Sequence, residues 1–158
     1  MKIYHLKRVQ VLPISKSEAW DFFSSPRNLA EITPAHMGFK ILYMSGGDKA
    51  YAGQVMRYHI MVLPPITVHW VTEITHVVDQ EYFIDEQRFG PYAWWHHEHR
   101  FKEVAGGVEM TDELSYAIPL GFLGRLAHWI FVGREVKRIF DFRFEVLAEY
   151  FDRQKNKS

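Results

Sequence analysis

Polar and apolar residues alternate from Ile3 to Leu12, the two-residue period of a strand, and the run stops at Pro13. Ser15-Lys16-Ser17-Glu18 then forms a capping box, in which the Ser15 hydroxyl satisfies an N–H near Glu18 and the carboxylate reaches back. The helix it opens is predicted over Lys16–Ser24, with Ala19, Trp20 and Phe23 on one side, and is interrupted by Pro26. A second short helix is predicted over Arg27–Ile32, ahead of Pro34. Further strands are predicted over Lys40–Met44, Gly53–Val62, Ile66–Val78, Tyr82–Phe89, Trp94–Val104 and Val108–Ile118. Their boundaries are Gly46-Gly47-Asp48, Pro64-Pro65, Asp79-Gln80, Gly90-Pro91, Ala105-Gly106-Gly107 and Pro119. Turn signals at this spacing, with no helical pattern between them, indicate an antiparallel meander.

After Pro119 the apolar period becomes helical and holds without proline from Leu123 to about Gln154. Leu126, Ile130, Phe140, Phe144, Leu147 and Phe151 form one stripe. Trp129, Val132, Val136, Ile139 and Val146 widen it to roughly half the circumference at ~100° per residue. A helix this apolar must be gripped by something concave or buried in a partner. Gly133 in its middle costs about 1 kcal/mol relative to Ala, so another group is expected to approach closely there. Residues 1–152 therefore read as one α+β domain, a curved antiparallel sheet of about six or seven strands around a long C-terminal helix. Arg153–Ser158 reads as a polar tail.

Composition narrows the function. The 158 residues contain nineteen basic and nineteen acidic side chains without a long run of either sign, which argues against nucleic acid as a partner. Cysteine is absent, so disulfides, thiolate metal sites and thiol catalysis are excluded. No signal peptide or membrane-spanning run is read, and the cytoplasm is the default expectation. Five Trp, eight Tyr and twelve Phe are many for this length, and stiff aromatic area of this kind fills cores or lines cavities. No Gly-x-Ser-x-Gly elbow and no phosphate-binding glycine loop occur.

Strand alternation selects the side chains that face inward. Trp95, His97, His99 and Phe101 share one face of their strand, and Val108, Met110, Asp112, Leu114, Tyr116 and Ile118 share one face of the next. On the preceding strand the inward set is taken as Phe83, Asp85, Gln87 and Phe89, although Tyr82 and Ile84 with Glu86 and Arg88 is nearly as good. A two-residue loop at Ala105-Gly106 would set His99 opposite Asp112. A three-residue loop at Gly90-Pro91-Tyr92 would set His97 opposite Asp85. Trp70, Phe83, Trp95 and Phe101 are expected in the cavity wall.

Several motifs in order resemble the SRPBCC superfamily, also called START-like or Bet v 1-like, and its bacterial ligand-binding and polyketide cyclase/dehydrase-like members. They are Trp70-Val71-Thr72-Glu73-Ile74, Phe83-Ile84-Asp85-Glu86-Gln87 with Gly90-Pro91-Tyr92, and Trp95 to Phe101. Met110-Thr111-Asp112-Glu113, Pro119-Leu120-Gly121 and Ile139 to Arg143 complete the set. The resemblance implies a helix-grip fold with an internal pocket, and names no activity.

The row of two imidazoles and two carboxylates has four readings. It anchors the polar end of a hydrophobic or amphipathic ligand. Alternatively His97 or His99 works with Asp112 as the acid–base pair of a cyclase-like enzyme. Thirdly, His97-x-His99 with a carboxylate binds a metal, although two histidines on one strand leave a tetrahedral site short of ligands, so no metal or other cofactor is expected. Finally, the row is a buried network that satisfies its own hydrogen bonds. Lys137 and Arg143, at the edge of the helix stripe, are expected to snorkel, with Arg143 alternatively reaching an acidic ligand head group. A homodimer through the last helix is the partner alternative.

Overall fold

The computed structural model describes residues 1–63 and 65–155. Strand β1 (Ile3–Leu12) leads through the Ser15 capping box, with both reciprocal bonds formed, into α1 (Lys16–Phe23). The second predicted helix is instead a 3-10 turn, Pro26–Ala30, and a further 3-10 turn, Ala35–Met37, follows Pro34. Proline at the start of each and Gly38 after the second leave no room for four-residue hydrogen bonding to propagate.

Six strands follow: β2 (Lys40–Met44), β3 (Gln54–Leu63), β4 (Ile66–Val78), β5 (Tyr82–Phe89), β6 (Trp94–Val104) and β7 (Gly107–Ala117). They form one antiparallel sheet in the order β1-β7-β6-β5-β4-β3-β2, so β1 pairs with the last strand. The β6–β7 hairpin closes over Ala105-Gly106, and Gly106 takes the positive φ of 91° that the tight turn requires. Of the predicted turn at Pro64-Pro65, Pro64 lies outside the described residues.

The C-terminal helix is α2 (Gly121–Ala127), a π turn (His128–Val132) and α3 (Gly133–Lys155) in succession. Residues 156–158 of the expected polar tail lie outside the described residues, and the helix continues past its expected start at Arg153. The π turn spends an extra residue and rotates the helix face by about 100°. The buried part of the apolar stripe lies beyond it. Val136, Phe140, Leu147 and Phe151 are buried, whereas Leu126, Trp129 and Ile130 are exposed, as is Phe144. The group that approaches Gly133 is the His128 imidazole, 2.7 Å from where a Cβ would stand. That ring stacks on Tyr4 at 3.5 Å and holds the Tyr116 hydroxyl at 2.8 Å, tying the π turn to β1 and β7.

Trp20 of α1 packs edge-on against Phe83 and Phe101, with centroids 6.1 and 5.8 Å away. Met110, Leu147 and Phe151 join this core, and Leu114, Tyr116, Val136 and Phe140 form a second cluster. Between them sheet and helix do not meet completely. Among the described residues, no helix is long and apolar enough to cross a membrane.

Candidate functional site

The space left between the concave sheet and the helix is a cavity of about 410 Å³. Trp70, Phe83, Asp85, Trp95, His97 and His99 line it, as does Arg143, the alternative head-group contact, with Tyr58 and Tyr92 among the residues not singled out as pocket walls from sequence. Tyr58 is legible only as an alternating residue of β3, whose inward parity the β3–β4 register sets by placing it opposite Trp70. A second depression of about 460 Å³, between Met1-Lys2 and Phe122-Arg125, contains none of the predicted residues.

The remaining predicted residues lie elsewhere. Phe101 and Met110 are core rather than cavity wall: Trp20 of α1 packs on Phe101, and Met110 is buried in the same cluster. Gln87 turns aside to donate to the Tyr92 carbonyl at 2.7 Å while accepting from the Tyr92 N–H. Phe89 is 69% exposed, not inward. Gln87 and Phe89 pair with adjacent residues of β4, Thr72 and Val71, so a bulge at Arg88 breaks the alternation. Asp112 stands behind the histidines, and Tyr116 is occupied by His128.

Both hairpins have the expected register, His99 opposite Asp112 and His97 opposite Asp85. The aligned hydrogen bonds nevertheless run the other way. His97 Nε2 bonds Asp112 Oδ1 at 3.2 Å and His99 Nε2 bonds Asp85 Oδ2 at 2.9 Å. The register partners remain in ion-pair contact: His97 Nδ1 is 3.2 Å from Asp85 Oδ2, and His99 Nδ1 is 2.9 Å from Asp112 Oδ1 without hydrogen-bond alignment. The cause is the position of β6, which lies between β5 and β7, so each imidazole has a carboxylate on either side. The two predicted pairs are one four-membered box, with the rings 3.8 Å apart.

Arg143 joins the box from α3. Its side chain does not snorkel, being only 7% exposed, and its Nη1 lies 3.8 Å from Asp112 Oδ1. Lys137 does reach solvent and pairs with Asp141.

Burial opposes charge on His97, but Asp85 and Asp112 outweigh it and hold its pKa above the ordinary 6.5. Burial also pushes both carboxyls up. Contacts from His97 and His99, with Arg143 near Asp112, reverse this and hold both below the ordinary 3.8. The stability contributed by His97 is complete below 6.5 and lost as pH rises through its raised value. That of the carboxylates is complete above 3.8 and lost as pH falls through their depressed values. Thermal midpoints measured against pH should therefore fall by several degrees from mildly acidic to alkaline buffer, and His97→Gln should flatten that limb. An unchanged wild-type midpoint across neutrality would contradict the charge assignment.

Asp85, His97 and His99 bring one ligand atom each within 4.8 Å of one another, the set that would hold a cation. Metal binding requires a neutral imidazole, and the carboxylates beside His97 favour its charged form.

The fold recurs among solved structures. The chain superposes on the Zhui aromatase/cyclase from Streptomyces sp. R1128 with a TM-score of 0.75 at 11% identity, covering 97% of this chain and 96% of that one. Protein CV1439 from Chromobacterium violaceum gives 0.69 at 14% identity over 93% and 96% of the two chains. Ara h 8.0201 gives 0.64 at 13% identity over 95% and 98%. No protein-family model and no curated protein matches the chain. At such identities these likenesses establish the fold alone: a helix-grip α+β architecture, one antiparallel sheet with a long C-terminal helix.

Proposed function

We propose that the protein binds a small hydrophobic or amphipathic molecule inside the cavity between the sheet and α3. The observation that carries this reading is the cavity itself, apolar over most of its wall and interrupted by polar side chains that include Asp85, His97, His99 and Arg143. Apolar surface on both sides drives uptake, and the polar side chains orient the guest. Titration with 1-aminoanthracene should show micromolar affinity and quench tryptophan emission, since Trp70 and Trp95 stand in the wall. Emission that stays constant to the solubility limit of the dye would remove this reading.

A second reading, catalysis of a cyclase or dehydratase kind, is favoured by the cavity-facing imidazoles and by the structural neighbour named an aromatase/cyclase. In it His97 or His99 moves a proton with Asp112 as partner. His99→Gln separates the two, weakening binding modestly if the histidine is an anchor and removing turnover with binding retained if it is catalytic. Dimerisation through the exposed apolar residues Phe122, Leu123, Leu126, Trp129 and Ile130 is the third reading. Sedimentation decides it, a ligand-free dimer supporting partnership and a monomer that takes up the dye supporting the pocket.

A further inference from the structure

Arg143 is the buried cation that the charged box does not satisfy. Every ring nitrogen of His97 and His99 lies within 3.2 Å of a carboxylate oxygen, so Asp85 and Asp112 are each shared by two imidazoles. Asp112 Oδ1 is then 3.8 Å from Arg143 Nη1, beyond hydrogen-bonding distance. Arg143 is 7% exposed and lines the cavity, and its Nε and Nη1 have no hydrogen-bond partner within the protein. Phe140 beneath the guanidinium, 5.2 Å from centroid to Cζ, fixes its plane and accepts no proton.

A second donor of the wall adds to this polarity. Trp70 Nε1 is a second buried donor without a partner. The Tyr58 hydroxyl is engaged with Thr72 Oγ1 at 2.8 Å, and the Asp85 carboxylate with both histidines. Two of the unpartnered polar groups of the wall, Arg143 and Trp70 Nε1, can only donate, the Ser24 hydroxyl can donate or accept, and the strongest donor is the guanidinium. Leaving such donors unpaired in an apolar chamber is unfavourable, and an acceptor carried by the guest relieves it.

We propose, on the basis of the ligand-binding reading above, that the ligand is an apolar acid whose carboxylate is received by Arg143. A guanidinium matches a carboxylate with two parallel N–H···O bonds, which a neutral hydroxyl or ester cannot reproduce. The polar end lies against α3 between Phe140 and the histidines, and the apolar body fills the aromatic chamber.

The test compares 2-naphthoic acid with its methyl ester, which share one apolar body and differ in charge. At neutral pH the acid should bind wild-type protein at least tenfold more tightly than the ester. Arg143→Met should bring that ratio close to one, and Arg143→Lys should give an intermediate ratio, because it keeps the charge and loses the fork. Equal wild-type affinities would overturn the proposal even if no variant folds, and so would a ratio unchanged in Arg143→Lys. Binding of both probes with equal affinity would leave the ligand-binding reading standing, whereas binding of neither would end both.

Discussion

Replacing Asp112 with Ala is expected to destabilise the protein by about 3–5 kcal/mol, the usual cost of removing one partner from a buried charge cluster. Asp112 is 6% exposed and is approached by His97, His99 and Arg143 together, so its loss leaves both imidazoles to Asp85 and removes the carboxylate beside the guanidinium. Urea unfolding near pH 6 should show this as a lower midpoint at unchanged slope. In a His99→Ala background the same substitution should cost at least about 1 kcal/mol less, because one of the groups that Asp112 engages has already gone. Additivity within about 0.5 kcal/mol would mean that the two side chains do not act as a unit.

Ile60→Trp is expected to lower affinity for 1-aminoanthracene at least tenfold, about 1.4 kcal/mol, while shifting the thermal midpoint by only a few degrees. Ile60 lies on β3 and lines the cavity, so an indole there occupies space that no side chain fills in the parent. Into a packed core the same change would be overpacking and destabilising. Unaltered dye affinity in a folded Ile60→Trp protein would place the dye elsewhere.

The sheet was legible because its signals are local. Alternation in β6 and β7, with Ala105-Gly106 and Gly90-Pro91 as turns, was enough to set His99 opposite Asp112 and His97 opposite Asp85. The hydrogen-bond partners were not, since they depend on where each imidazole turns between two flanking strands. Phe101 and Met110 alternate inward as predicted, yet both are packed in the core, Phe101 beneath Trp20 of α1, and sequence spacing does not reveal which part of a concave face a helix will cover. Arg143 reads as a stripe-edge residue, whereas its burial follows from Asp112 standing opposite on β7. The π turn at His128–Val132 has no period of its own, so it surfaced only through Gly133, whose cost in a helix already called for a close neighbour.

A crystal structure of the protein with 2-naphthoic acid tests the central claim most directly. The account predicts one naphthalene ring enclosed between Trp70, Trp95 and the inner face of α3, with its carboxylate turned to Arg143. Density for the ring only on the exposed apolar residues of α2, beside Phe122 and Leu126, with the space between sheet and α3 closed by side chains, would contradict it.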